Sequence, residues 1–167
     1  MHDVALTLSR GTVVLRRATA ADLPVIIGLL ADDPISRFRG DAGGSDDLPA
    51  LDEAFAAIDS DPAQQLLVVA GPSGDVVATM QLSVIPGLAR AGASRLQIEA
   101  VRVRTDMRYQ GIGGAMIRWA VDAAPALGAG LVQLTSDAAR VDAHRFYERL
   151  GFTASHVGFE YSVASDS

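Results

Sequence analysis

The feature that most restricts the fold is a run of glycines set between a strand pattern and a helix pattern: Arg108-Tyr109-Gln110-Gly111-Ile112-Gly113-Gly114. Upstream, Ser94 to Arg104 alternates as a half-buried strand does, with Leu96, Ile98, Ala100, Val101 and Val103 apolar. The alternation slips at Ala100-Val101, because strict period two does not put Ile98 and Val101 on one face; a β-bulge there accounts for the slip. Downstream, Ile112, Met116, Ile117, Ala120 and Val121 share one side of a helix that runs to about Ala126, and Leu131 to Thr135 reads as the next strand. Two strands joined through a helix form the one passage where a parallel pair is expected.

Glycine lets the backbone turn tightly and removes the Cβ atoms that would keep a ligand off the amides. The first N–H groups of a helix have no intrahelical partners and lie at the positive end of its dipole, a combination that binds phosphate oxygens. Arg108 adds a fixed positive charge on the approach. A dinucleotide fingerprint is excluded, since its third glycine would fall at 116, which is Met, and the chain lacks an alternating βαβ series. A Walker loop is excluded because there is no lysine, all 14 basic residues being arginine. A turn without a ligand and an anion-cradling loop both remain open on the residues alone.

The rest of the chain supplies the frame. Thr12 to Arg17 reads as a first strand, and Thr19-Ala-Ala-Asp22 offers caps for a helix with the stripe Leu23, Ile26, Ile27 and Leu30. Ala31 to Leu48 is a connection rich in Asp, Gly, Pro and Ser, followed by a second helix over Leu51 to Ile58. Gln65 to Ala70 and Val76 to Val84 form a hairpin around Pro72-Ser-Gly-Asp75. Val141 to Leu150 is a helix ended by Gly151 as its left-handed cap, with Phe152 folding back. Two last strands, Phe152 to His156 and Phe159 to Val163, complete the order β-α-α-β-β-β-α-β-α-β-β. The fold class is α+β, or mixed α/β, with a mostly antiparallel twisted sheet and helices on its faces.

At 167 residues, 49% hydrophobic and 20% charged, the chain fits one globular domain with a substantial core. It has no cysteine, which removes disulfides, thiolate zinc sites and a cysteine nucleophile. Three scattered histidines without a His-Glu-x-x-His helix point to no catalytic metal. The net charge of −6 argues against nucleic acid and mildly favours cationic small molecules. Met1 to Arg10 lacks the pattern of a secretory signal, and no apolar run reaches the roughly 18 residues of a membrane span. Cytoplasmic residence away from membranes is therefore expected.

Arg108-x-x-Gly111-x-Gly113 resembles the [Gln/Arg]-x-x-Gly-x-[Gly/Ala] motif of the GNAT superfamily of acetyl-CoA-dependent N-acetyltransferases. Ala143-His-Arg-Phe-Tyr147-Glu-Arg-Leu-Gly151-Phe152 is similar to that family's Ala-x-x-Phe-Tyr-x-x-x-Gly-Phe segment, and Leu15-Arg-Arg-Ala-Thr-Ala-Ala-Asp-Leu23 to its opening. The resemblance covers about Val13 to Val163, and the two motifs at this spacing are more specific than either alone. It implies a GNAT-like fold of about seven strands flanked by about four helices. Residues 12–164 then form a single N-acetyltransferase domain, with 1–11 an N-terminal extension and 165–167 a tail.

What the resemblance implies for chemistry attaches to particular residues. The loop, from Arg108 through Tyr109, Gln110, Gly111, Ile112, Gly113 and Gly114, would grip acetyl-CoA. Tyr147 would stand beside the CoA sulfur and act as general acid; a phenol titrates near ~10 when unperturbed and can donate at neutral pH. Its other reading is an aromatic packing residue beside Phe146. Glu99, in Ile-Glu-x-Val, would act as base on the amine through water; its other reading is an exposed carboxylate paired with Arg102 or Arg104. The backbone N–H of Val101, freed at the bulge, would meet the oxyanion, and Val101 and Val103 would line the pantetheine. Where many members carry Asn, this chain has Asp137, which accepts but does not donate as Asn does; it serves either the cofactor or the cap of the next helix. His144 lies three residues before Tyr147 on one helical face and would border the cofactor.

The acceptor is expected to be a small-molecule amine. Asp142-Ala-His-Arg-Phe-Tyr147 with Ser155-His156 looks similar to aminoalkylphosphonate N-acetyltransferases, and His156 is a candidate for the acceptor pocket. The stretch of the first two helices and their connection, which the resemblance puts on the acceptor side, carries Asp32, Asp33, Asp41, Asp46, Asp47, Asp52 and Glu53 with Arg37 and Arg39. It reads as an acidic rim for a cationic amine, as an arginine clamp for a phosphonate or carboxylate, or as a solvated loop. Protein or peptide N-acetylation and a non-catalytic acyl-CoA sensor are the competing functions, and the family also allows a homodimer.

Overall fold

The computed structural model describes residues 2–32, 47–161 and 163. The chain divides into two compact units, Met1–Leu134 and Thr135–Ser167. The first holds one sheet of six strands among the described residues, β1 Val4–Leu8, β2 Gly11–Arg17, β3 Gln64–Ala70, β4 Val76–Ile85, β5 Ser94–Val103 and β6 Ala129–Leu134, hydrogen-bonded in chain order. Every pair is antiparallel except β5–β6, which is parallel around the connecting helix, as the pattern around the glycine loop requires. The unit also contains helices α1 Leu23–Ala31, α2 Leu48–Ser60 and α3 Ile112–Ala123. A single turn, Ala89–Gly92, with Arg90 and Ala91 left-handed, leads into β5.

Period-two alternation distributes the core. Leu66 and Val68 turn toward α1 and α2, where they pack with Ala18, Ile26, Leu29 and Val76 against Leu30, Phe55 and Ile58. The alternate positions Leu67, Val69, Met80, Leu82, Leu96 and Ile98 are almost fully buried on the other face. There α3 packs on β1, β4 and β5, burying Ile112, Met116, Ile117 and Ala120. The entry to α1 is fixed by Asp22, whose carboxylate accepts a fork from Arg16 (2.7 and 2.9 Å) and bonds from the Thr19 amide and hydroxyl at 2.8 and 2.9 Å. Hydrogen bonding from Arg16 is the main cause holding that carboxyl well below the usual carboxylate range, against the opposing effect of burial.

Within residues 1–11, expected as an N-terminal extension, Val4–Leu8 is an edge strand in register with β2, Val4 opposite Leu15 and Leu8 opposite Gly11. Two sequence expectations are corrected. Asp137 was one candidate cap for the following helix; the residue preceding that helix is Arg140. The expected strands Phe152 to His156 and Phe159 to Val163 are absent among the described residues, which have no regular secondary structure there. Alternation supplies a face but not a partner, and without a ladder Val157, Phe159, Tyr161 and Val163 are 78–93% exposed. The sheet thus has six described strands in place of about seven.

The second unit is built on α4, Val141–Arg149. Gly151 closes it in the left-handed region at φ 94°. Its N–H donates to the Glu148 carbonyl at 3.0 Å and that of Phe152 to the Tyr147 carbonyl at 3.1 Å, the two bonds of a Schellman motif. Phe152 folds back as the sequence predicts, its ring edge-on to Tyr147 with centroids 6.0 Å apart.

Candidate active site

The bulge lies where the alternation slips. Thr79 pairs with Arg102 and Gln81 with Glu99, so Ala100 and Val101 together oppose Met80, and Ala100 takes φ 52°. Pairing of β5 with β6 runs from Ser94 opposite Ala129 to Ile98 opposite Leu134 and then stops. From Glu99 onward β5 keeps β4 on one side, while its other edge has no strand partner among the described residues. That edge begins at the bulge.

Glu99 is exposed on β5 and makes no ion pair among the described residues. The arginine pairing that competed with a catalytic reading is not formed with Arg104. The Arg104 guanidinium donates to Asp75 on the β3–β4 turn and to Asp106 at 2.7 and 3.1 Å. These bonds, that with Asp106 foremost, raise Arg104 above its ordinary value and lower the Asp106 carboxyl. They also brace the 3-10 turn Thr105–Met107 that leads into the glycine loop. Arg102 donates from Nη1 to the Val101 carbonyl at 3.0 Å.

The loop itself is shaped by left-handed residues. Tyr109 has φ 60° and its ring is fully exposed; Gly111 has φ 90° and is the residue before α3. Ile112 is 1% exposed and pins the helix start into the core, which fixes the direction of the first amides. Gln110 turns back, its amide donating to the Asp106 carbonyl at 3.1 Å and meeting Met107 Sδ at 3.7 Å. Arg108 donates from Nε to the Val103 carbonyl at 3.1 Å, and its Nη2 lies 3.7 Å from Asp32 at the end of α1. Thr105 Oγ1 donates to the same Asp32 carboxylate. Sequence reading missed this tie between α1 and the loop, because partners 73 positions apart leave no local pattern.

Gly114 is buried inside the first turn, and a Cβ there would be in ordinary van der Waals contact with the Arg118 guanidinium, at 3.4 Å. The residues fit a phosphate-bearing ligand in that no side chain caps the opening amides of α3 and no acidic residue stands in its first turn. Among the described residues no group of three or more metal-ligating side chains occurs, and no helix is long and apolar enough to cross a membrane.

In the second unit, Tyr147 is half-buried, its ring edge-on to Phe146 at 5.1 Å. His144 Nε2 meets the Asp137 carbonyl oxygen at 2.8 Å, and Asp137 Oδ1 accepts from the Ala139 amide at 2.8 Å. Asp137 thus organises the turn before α4. Ser155 and His156 Nδ1 are joined at 2.8 Å, both exposed. Asp33, Arg37, Arg39, Asp41 and Asp46 lie outside the described residues. Asp47, Asp52 and Glu53 are exposed on and before α2.

Comparison with known proteins adds three relationships. The model of the acetyltransferase (GNAT) family matches residues 32–152. An aminoalkylphosphonate N-acetyltransferase of Salmonella typhimurium (strain LT2) is 41% identical over 63 residues, 38% of this chain and 41% of that protein's own length. Among solved structures, one titled a transcriptional regulator from Bacillus halodurans C-125 is 37% identical with TM-score 0.82, covering 90% of this chain and 99% of its own. A putative acetyltransferase from Agrobacterium tumefaciens str. C58 is 29% identical with TM-score 0.72, covering 89% and 99%.

Proposed function

The chain belongs to the acetyltransferase (GNAT) family, and from that membership we propose that it transfers an acetyl group directly from acetyl-CoA to the primary amine of a small molecule. The observation that carries the reading is the bulge at Ala100–Val101, set between exposed Glu99 and an open strand edge that leads to the glycine loop. Acetyl-CoA supplies the acetyl group as a thioester, so that a C–N bond forms as the C–S bond breaks.

The loop residues Arg108 to Gly114 hold the phosphates, and Val101 and Val103 present backbone groups to the pantetheine arm. Glu99 takes the proton released by the amine through a water molecule, and the N–H of Val101 meets the carbonyl oxygen as negative charge develops on it. Tyr147 gives its proton to the departing sulfur. His144 and Asp137 order the turn that precedes α4, on which Tyr147 is carried. The Salmonella relative is named for an aminoalkylphosphonate acceptor, which supports a small amine in preference to a protein. Cytoplasmic residence and a homodimer belong to the same reading.

Thermal-shift measurements with acetyl-CoA test cosubstrate binding, since a ligand of the native state raises its apparent stability. Thiol release across a panel of amines, aminoalkylphosphonates included, then tests turnover. Stabilisation without turnover on any amine or peptide would turn the reading toward an acyl-CoA sensor, and turnover on peptides alone toward protein acetylation.

A further inference from the structure

On the sheet face that carries Leu66 and Val68, four strands align a row of polar side chains. Gln64 of β3 stands opposite Ser83 of β4, Ser83 opposite Gln97 of β5, and Gln97 opposite Gln133 of β6. Residues directly opposite one another share a face, as do residues two apart on one strand. Glu99, two positions past Gln97 and directly opposite Gln81, therefore stands on the same face beside this row. All of these residues belong to the first unit.

The row is bonded at its two ends and open in the middle. Ser83 Oγ and Gln81 Nε2 donate to Gln64 Oε1 at 2.6 and 3.3 Å, and Gln133 Nε2 donates to Gln97 Oε1 at 2.7 Å. Ser83 and Gln97 are opposite neighbours, 6% and 7% exposed, yet no side-chain hydrogen bond joins them. The amide N–H groups of Gln97 thus have no partner among the described residues. A buried amide is unfavourable unless its donors are met, and an apolar side chain would serve packing at that position without the penalty. Those donors sit two residues along the strand from Glu99, ~7 Å.

Charge decides what they would meet. Arg102, beyond the bulge, gives Nη1 to the Val101 carbonyl. Arg95, two positions before Gln97, has its guanidinium beside Gly87 on the β4–β5 connection, and ~13 Å of strand separates it from Glu99. An anionic oxygen at Gln97 would be repelled by the Glu99 carboxylate, whereas a neutral oxygen meets the amide donors without that repulsion.

Resting on the acetyl-transfer reading, we propose that Gln97 determines acceptor specificity by donating to a neutral oxygen, hydroxyl or carbonyl, of an amine whose nitrogen lies at Glu99. The favoured acceptor is then an amino alcohol or an amino amide, in preference to an alkylamine or an aminoalkylphosphonate.

Thiol release by the full chain at saturating acetyl-CoA tests this, across amino alcohols, amino amides, alkylamines of matched length and aminoalkylphosphonates. Wild-type kcat/KM should favour the oxygen-bearing neutral amines over matched alkylamines on the order of tenfold or more, since a site built to bond an oxygen rejects the analogue that lacks it. Gln97→Met should bring that ratio close to one while KM for acetyl-CoA holds; a packing role alone would lower turnover of both amines alike. Should loss of Gln133's partner unfold the single variant, Gln97→Met/Gln133→Met replaces both members of the bonded pair by apolar groups and gives the same readout. An unchanged ratio in either folded variant, an equal loss for both amines, or a wild-type preference for aminoalkylphosphonates overturns the proposal. Absence of turnover on every amine instead removes the acetyl-transfer reading on which it rests.

Discussion

Arg108 donates through Nε to the carbonyl oxygen of Val103, 3.1 Å away, closing the glycine loop back onto the strand it leaves. The arginine picked out by the motif is thus a brace within the protein as well as the charge proposed to meet the cosubstrate. Arg108→Ala is expected to raise KM for acetyl-CoA about tenfold, equivalent to ~1.4 kcal/mol. Arg108→Lys should recover less than half of that effect, since it keeps the charge but lacks the planar fork. Steady-state kinetics at varied acetyl-CoA decides it; equal KM in all three proteins would deny the brace any part in binding.

Tyr147→Phe retains both edge-on ring contacts and removes only the hydroxyl. The protein should remain folded while kcat falls on the order of a hundredfold, the range of general acid catalysis. An unchanged kcat would leave Tyr147 as a packing residue.

Glu99→Gln should lower kcat/KM on the order of a hundredfold at neutral pH, with partial recovery at higher pH as the acceptor amine loses its own proton. The side chain is exposed and makes no ion pair among the described residues, so stability should change by less than about 0.5 kcal/mol. A parallel loss of stability would point to a structural role.

Ala100 carries a left-handed backbone, φ 52°, at the bulge. Glycine accepts that conformation without the cost a Cβ brings, so Ala100→Gly should stabilise the fold by about 0.5–1 kcal/mol and raise the midpoint of thermal unfolding. Deleting Ala100 should instead restore simple register with β4 and abolish activity in a folded protein. Survival of activity in the deletion would separate the bulge from catalysis.

Asp22 provides the pH test. Its folded-state carboxyl titrates below its unfolded value, so its contribution is fully present above the ordinary carboxylate range, near ~4, and is lost as pH falls through the lower folded value. Asp22→Asn should cost about 1–3 kcal/mol at neutral pH, with the gap from wild type narrowing below about pH 4. Urea melts at several pH values would show it, and a gap independent of pH would contradict the ionic account.

What could be read from sequence was what local pattern encodes. The slip at Ala100–Val101 announced the bulge, glycines at a strand-to-helix junction announced the loop, and Gly151-Phe152 announced the end of α4. Less legible were features that depend on a distant partner. Val4–Leu8 becomes a strand only because β2 lies beside it, and Phe159 to Val163 has the alternation of a strand but no ladder among the described residues. Asp32 reads as one acid in an acidic stretch until Thr105 and Arg108 are found against it.

The end of β5–β6 pairing at Ile98 and Leu134 carries one more consequence. It acts as the stop of a zipper, and under the proposed function its position would set how much of β5 remains for the cosubstrate to dock along. Each rung gained by extending β6 would tighten the empty protein and shorten the rail offered to its substrate. This enzyme should therefore resist stabilisation at that junction unless it surrenders grip, a trade between rest and work set at a single pair of residues.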